Sequence, residues 1–299
     1  MNATPTHPTQ NQKPQGDPAP IVGDRPVSSE VRSSNEFLAN FDRTEQLVNE
    51  FFEEPASYQI DEPQCDVPSQ FKMTVIIPVF NEENTIRRVV GRIIQIPINK
   101  EIIIVDDCST DGTGKILETL KSHKDIKVVL KEENAGKGAA LRTGFESATG
   151  DVVVIQDADL EYDPRDIPKL LVPLLQDESD VVYGSRFIGN ESQDESWIHR
   201  FGNGLLTGVS NLTTGLKLTD METCYKAFRR EILADIEVEQ NRFGFEPEIT
   251  AKLARRKARF SEVPIGYNAR TYAEGKKIGI KDLFNAFYCI ARYGWFSRK

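Results

Sequence analysis

The feature that most restricts how this chain can fold is a rhythm of short apolar runs. Each is closed by turn-forming or acidic residues and followed by a longer stretch of helical spacing. The runs fall at 73–79, 101–105, 126–130, 151–155 and 180–183, and the helical stretches at 84–95, 113–122, 138–148 and 164–176. A run such as EIIIV lacks the alternation of a strand with one wet face, so both its faces must be covered. Strands of this kind separated by helices predict an α/β fold, a mostly parallel central sheet flanked by helices on both faces. In open sheets of that type ligands sit beyond the carboxyl ends of the strands. The chemistry is therefore expected just after each run.

The ends of the chain read differently. Residues 1–35 are rich in Pro, Thr, Gln and Ser and cannot bury enough surface to offset their ordering entropy, so a disordered tail is expected. Residues 36–71 hold a predicted amphipathic helix over 36–54, carrying Phe37, Leu38, Phe41, Leu47, Val48, Phe51 and Phe52, and then a Pro-containing linker. The main domain is assigned to 72–277. Residues 278–299 are expected to form an amphipathic C-terminal helix. It is too short, and too interrupted by Lys281, Asp282 and Arg292, to span a bilayer, so it either packs on the sheet or makes a peripheral contact with a membrane.

Charge and cysteine usage exclude several classes. With 46 acidic against 37 basic residues the net charge is −9, which argues against nucleic acid as a partner, since binding there draws on displaced counterions. Four cysteines without a CxxC pair and three scattered histidines leave no disulfide framework or His-based zinc site. No apolar stretch suits a signal peptide, so a cytoplasmic location without a transmembrane segment is expected.

Polar clusters follow the runs in order. Pro78, Phe80, Glu82 and Asn84 follow the first, and Asn84 is a candidate helix cap. Asp106 and Asp107 follow the second; two adjacent carboxylates repel unless a cation or ligand lies near. Asp111 or Ser109 is a candidate cap for the next helix. The sequence NAGKG follows the third, where glycines permit close backbone approach and a helix N-terminus favours anions. No Walker A or GxGxxG pattern occurs, which disfavours P-loop and dehydrogenase readings. After the fourth run stand Asp157, Ala158, Asp159 and Glu161, and three carboxylates there suit a hard divalent cation shared with phosphates. Arg186, Arg200, Lys226, Arg270 and Lys276 occupy later loop segments as candidate anion ligands.

Taken together, VIIPVFNEE, IIIVDDCSTDGT, NAGKGAAL, QDADLEYDP, VVYGSRF, DMETCYKAF and RTYAEGKK resemble the family 2 glycosyltransferases of the GT-A fold. Within them the set is most similar to the dolichyl- and polyprenyl-phosphate mannosyltransferases. The resemblance implies that Pro78, Phe80, Glu82 and Asp107 line a nucleoside pocket. It implies that Asp157 and Asp159 form a DxD, with Asp159 and Glu161 binding Mg²⁺ or Mn²⁺, and that Arg270 and Lys276 meet the donor diphosphate. Arg186 and Arg200 match a pair that holds an acceptor phosphate. The implied reaction is inverting transfer of a hexose, mannose from GDP-mannose first and glucose from UDP-glucose second, to a polyprenyl or dolichyl phosphate. A phosphate acceptor is already largely ionised and needs no base, since its second pKa is about 6. A hydroxyl acceptor would need one, and Asp220 or Glu222 is the candidate, although DMET departs from the family pattern there. A non-catalytic nucleotide-sugar-binding protein is the distant alternative.

Overall fold

The structure, a computed structural model, describes residues 60, 62–189, 197–270 and 280–296. They belong to one compact unit, Gln46–Lys299. The tail at 1–35 and the helix expected over 36–54 lie outside the described residues.

Seven strands form one mixed sheet: β1 (Met73–Val79), β2 (Lys100–Asp106), β3 (Ile126–Leu130), β4 (Val152–Ile155), β5 (Val181–Ser185), β6 (Lys226–Arg229) and β7 (Phe260–Pro264), in the order β3-β2-β1-β4-β6-β5-β7. β1 pairs in parallel with β2 and β4, and β5 with β7, whereas β6 runs antiparallel between β4 and β5. The five apolar runs became strands with ends shifted by no more than two residues. β6 and β7 were not anticipated, because KAFR and FSEVP are short and carry charge within them. Their pairing with neighbours, not their own apolar content, makes them strands.

The helices are α1 (Ile86–Ile94), α2 (Thr113–Leu120), α3 (Lys137–Ser147), α4 (Ile167–Leu175), α5 (Trp197–Thr214), the single turn α6 (Arg230–Leu233), α7 (Phe245–Arg255) and α8 (Ile280–Ala291). The period of two along β1 sorts its side chains to opposite faces. Val75 and Ile77 join Val89 and Ile93 of α1, Leu117 of α2 and Leu170 of α4 on one side. Ile76 joins Leu141 of α3, Leu206 of α5, Ile249 of α7 and Ile290 of α8 on the other. Both faces are thus dry, which is why these strands read as unbroken apolar runs.

After α8 the chain continues as a π-helical turn, Arg292–Phe296. Ala286, Cys289, Ile290 and Tyr293 are buried, whereas Phe284, Tyr288 and Trp295 are exposed. Among the described residues no helix is long and apolar enough to cross a membrane.

Candidate active site

The ends of β1, β2 and β4, the start of α3 and the segment after β7 enclose a cleft of about 320 Å³. Pro78, Phe80, Glu82, Asp107, Asp157, Ala158, Asp159, Glu161 and Arg270, singled out from four separate motifs, all line it. Lys137, Cys224, Arg242, Phe243 and Tyr267 line it as well. Arg186 and Arg200 do not, and Lys276 lies outside the described residues.

The loops after β1 and β2 are laced together. Asn81, in a left-handed conformation (φ 56°), accepts the Thr110 N–H at 2.8 Å, and its own N–H donates to Ser109 Oγ. The helix cap expected at Asn84 falls one residue later, on Thr85, whose hydroxyl donates to the Glu82 carboxylate at 2.8 Å. The cap of α2 falls on Gly112 rather than on Asp111 or Ser109, although Asp111 accepts the Thr113 N–H at its start. The adjacent carboxylates Asp106 and Asp107 are each satisfied within the protein. Asp106 accepts from the Ser109 hydroxyl, and Asp107 from Lys131 Nζ at 2.7 Å and the Ala135 and Gly136 N–H groups. The cation that relieves their repulsion is therefore Lys131.

The glycines of NAGKG admit close backbone approach, but by this chain itself. Gly136 has φ +99°, and a Cβ on it would stand 2.5 Å from the Asn241 carbonyl oxygen. Residues 240–242 pass over the start of α3 there, which brings Arg242 and Phe243 to the cleft.

Residues 157–161 form the acidic wall. Leu160 lies in the left-handed region (φ 63°), a costly conformation for a branched side chain, and such strain collects at functional sites. Asp157 pairs with Lys137 Nζ at 2.7 Å, and Lys137 also reaches Glu246 at 3.8 Å. Burial opposes charge on Lys137, but Asp157, Cys224 and Glu246 outweigh it and hold its pKa well above the usual lysine value. Arg270 spans the rest of the wall. Its Nη2 lies 2.8 Å from Asp159 Oδ2, its Nη1 3.2 Å from both Glu82 oxygens, and its Nε 3.8 Å from Glu161. Burial, with the charges of Asp157 and Glu161 beside it, raises the Asp159 pKa to about 7 against the pull of Arg270.

Among the described residues no group of three or more His, Cys, Asp or Glu side chains is arranged to hold a metal ion. Asp157, Asp159 and Glu161 therefore do not by themselves make such a group, and Asp157 is paired with Lys137. Asp159 and Glu161 remain together, and the guanidinium of Arg270 stands between them as a surrogate cation. One or two carboxylates completed by phosphate oxygens are what Mg²⁺ commonly takes, so this pair fits a divalent ion that arrives with a diphosphate.

The second basic region lies beside the cleft. Arg186, after β5, grips the fully buried Asp220 with Nε at 2.7 Å and Nη2 at 2.8 Å, and Asn203 of α5 donates to the same carboxylate at 2.8 Å. Burial pushes the Asp220 pKa up, but attraction and hydrogen bonds from Arg186 prevail and hold it below the ordinary carboxylate range. Arg200 is exposed on α5, with its guanidinium 5.4 Å from the Phe187 ring; that of Arg186 lies 5.6 Å from the same ring. Lys226 does not serve as an anion ligand. It is fully buried, donates to the Met221 and Thr223 carbonyls, and lies 4.3 Å from the Tyr183 ring centre. Glu222 Oε1 and Glu246 Oε2 are buried with no hydrogen-bond partner among the described residues. Glu246 and Tyr267 carried no motif signal: the first looks like a carboxylate complementing a helix N-terminus, the second like a strand-end aromatic.

Over 222 residues the chain is 32% identical to an undecaprenyl-phosphate 4-deoxy-4-formamido-L-arabinose transferase from Aeromonas hydrophila, covering 72% of this chain and 65% of that one. Over 226 residues it is 30% identical to a dolichol-phosphate mannosyltransferase from Pyrococcus furiosus, covering 74% and 63%. The chain therefore spans slightly less than two thirds of these relatives. Among solved structures, glucosyl-3-phosphoglycerate synthase from Mycobacterium tuberculosis, in complex with Mn²⁺, UDP and phosphoglyceric acid, superposes with a TM-score of 0.59 at 21% identity, over 76% of this chain and 79% of that one. Mannosyl-3-phosphoglycerate synthase from Rubrobacter xylanophilus gives 0.60 at 18%, over 75% and 72%. These likenesses identify the fold as GT-A. The model of glycosyl transferase family 2 matches residues 74–237, more than half of the chain, and with the strand-end cleft in the place that fold requires, the chain belongs to that family.

Proposed function

We propose that this chain transfers a glycosyl unit from a nucleotide-sugar to a polyprenyl phosphate. The observation that carries the reading is the cleft itself, which gathers carboxylates and an arginine from four motifs with a second arginine pair beside it. The relatives named for undecaprenyl-phosphate and dolichol-phosphate substrates support a polyprenyl phosphate as acceptor. Their sugars differ, so the donor is the finer part of the proposal: mannose from GDP-mannose first, glucose from UDP-glucose second.

In this reading Pro78, Phe80 and Glu82 face the nucleoside, and Asp107 holds the 135–136 backbone that closes the pocket. A divalent ion, Mg²⁺ or Mn²⁺, held by Asp159 and Glu161 would supply Lewis-acid neutralisation of the donor diphosphate. Arg270, released from those carboxylates, turns its charge to the same diphosphate, so the acidic wall keeps a positive partner with or without donor. A phosphate oxygen of the acceptor attacks the anomeric carbon as the bond from that carbon to the diphosphate oxygen breaks, with inversion. Asp220 is committed to Arg186 and Asn203, which disfavours it as a base and favours an acceptor ionised beforehand.

The surface beyond Arg200 also suits a lipid. Phe201, Leu205 and Leu212 are exposed at spacings that place them on one stripe of α5, and α8, packed against it, exposes Phe284 and Tyr288. Exposed aromatics beside a basic residue match a helix pair lying in a headgroup layer.

The test is a panel of radiolabelled nucleotide-sugars with undecaprenyl and dolichyl phosphates, run on wild type and Arg200→Ala. The expected result is transfer to the lipid phosphate, with acceptor KM raised about tenfold in the variant, in line with a charged contact of about 1.5 kcal/mol, and donor affinity unchanged. Transfer only to hydroxyl acceptors, or loss of donor affinity in the variant, would overturn it.

A further inference from the structure

Two halves of the proposed reaction meet at a side chain that neither motif contains. Tyr267, three residues beyond β7, lies half-buried in the cleft wall. Its hydroxyl donates to Glu161 Oε2 at 3.0 Å, and its ring centre lies 5.0 Å from the Arg186 guanidinium carbon. Two backbone N–H groups fix the segment over the acidic loop: Asn268 N–H donates to the Glu161 carbonyl at 2.9 Å, and Arg270 N–H to the Glu161 side chain at Oε1, 3.0 Å.

The ring is braced from behind. Tyr162 lies 5.2 Å from Tyr267 and stacks on Tyr225 at 5.3 Å. The Tyr225 hydroxyl donates to Gln156 Oε1 and the Asp163 carbonyl, and the Tyr162 hydroxyl accepts the Cys224 N–H. Three tyrosines thus tie the loop after β4 to the loop before β6 and to the chain leaving β7. A ring held on both sides fixes where its polar tip and its π face point.

We infer that Tyr267 is a positioning residue that sets the donor and acceptor sites in register, its hydroxyl orienting Glu161 and its ring seating the Arg186 guanidinium. The inference rests on the proposed function, in which Glu161 serves the diphosphate and its cation and Arg186 the acceptor phosphate. The two contacts use different parts of one side chain. The hydroxyl bond occupies Glu161 Oε2 and leaves Oε1 to the Arg270 backbone, so the carboxylate cannot rotate freely. The ring face attracts the guanidinium of an arginine whose other contacts include Asp220 and Phe187, steadying the group that must also receive an anion.

Because the contacts are chemically distinct, two shape-conserving replacements separate them. Tyr267→Phe removes the hydroxyl and keeps the π face. Tyr267→trifluorophenylalanine keeps the shape and weakens the attraction of the face for a cation. Two readouts are taken on each: calorimetric affinity for Mn²⁺ in the presence of GDP or UDP, and acceptor KM and kcat with undecaprenyl phosphate. Loss of an outer contact to a metal ligand typically costs 10–100-fold in metal affinity, so Tyr267→Phe is expected to weaken Mn²⁺ binding about tenfold and leave acceptor KM within about twofold. The fluorinated protein should match Tyr267→Phe in Mn²⁺ affinity and raise acceptor KM a further threefold or so, the lower end of a cation–π contribution. Both proteins behaving alike in both readouts, or Tyr267→Phe binding Mn²⁺ like wild type, would overturn the inference alone. Wild type that binds no Mn²⁺ with either nucleotide would overturn the functional reading and this inference with it.

Discussion

The chain carries two acidic loops beyond its sheet, residues 157–161 after β4 and residues 220–222 ahead of β6, and they handle charge in opposite ways. In the first, each carboxylate faces a cation from another element. Asp159 faces Arg270, whose side chain is 19% exposed, so the pair borders solvent. In the second, Asp220 is wholly buried and gripped by Arg186 through two side-chain nitrogens, while Glu222 leaves a buried oxygen unpaired. A pair at a cleft wall exchanges partners cheaply when another charge arrives, whereas a buried pair is costly to open. The charges of the first loop are therefore the more readily exchanged, and those of the second are held in place.

The largest expected effect breaks the first loop. Asp159→Asn removes one of the three carboxylates that face Arg270 and one of the two proposed to serve the diphosphate, and transfer should fall at least 10²–10³-fold, the scale for losing one preorganised electrostatic contact. The fold should survive, since the substitution also relieves repulsion from Asp157 and Glu161, and the thermal midpoint should be unchanged or slightly higher. EDTA should mimic the loss in wild type, with Mn²⁺ or Mg²⁺ restoring wild type only. Near-normal transfer by the variant in metal-free buffer would place the working carboxylate elsewhere.

Asp220→Asn probes the second loop and should show mainly in stability. Leaving Arg186 without its buried counter-charge costs about 3–5 kcal/mol, or roughly 10 °C in midpoint for a domain of this size. The sign with pH follows from the depressed pKa of Asp220. Its contribution is complete above the ordinary carboxylate range and is lost as pH falls through the lower folded-state value. The variant should lose that acid limb, so the difference between the two proteins should shrink below pH 4 or so. An unchanged midpoint at neutral pH would mean that the pair opens to water and that Asp220 is available for chemistry after all.

The contrast between the loops also explains what could be read from the residues alone. Apolar runs with acidic or glycine-rich endings located β1 to β5 and eight cleft residues, with Arg270 supplied by the later basic motif, because a buried strand and a charged strand end leave local marks. Partner choice leaves none. That Asp107 answers Lys131, that Asp157 answers Lys137, and that Arg270 bridges Glu82 and Asp159 across 188 and 111 positions of sequence follows from packing. Lys226 shows the limit clearly: a lysine beside motif residues looks like an anion ligand, and only the closure of the 221–223 carbonyls around it reveals a structural cation. Tyr267 was invisible for the same reason, since a tyrosine after a short strand carries no pattern until Glu161 and Arg186 are brought to either side of it.

Glu222→Gln should have the smallest kinetic effect and sharpens the comparison most. Burial and the neighbouring Glu246 charge, joined by Asp220 and opposed by Lys226 and Arg186, push the Glu222 pKa from its ordinary 4.5 up to about 8. The folded protein then holds a proton that the unfolded chain gives up, so stability is highest below about pH 4.5 and falls as pH rises to about 8, where the loss levels off. Glutamine reproduces the protonated form, so the variant should lack this decline and melt several degrees higher than wild type at pH 8, with the gap closing towards pH 5. The same substitution tests the acceptor. A phosphate nucleophile is ionised already, and single-turnover transfer with saturating donor should drop only a fewfold. General-base assistance to a hydroxyl contributes 10²–10⁴-fold, so a loss of a hundredfold or more, in a variant whose circular dichroism matches wild type, would make Glu222 the base and the acceptor an alcohol. A fewfold loss together with the flattened pH profile would leave the second loop as scaffold, holding Arg186 in place while residues 157–161 carry the exchangeable charge.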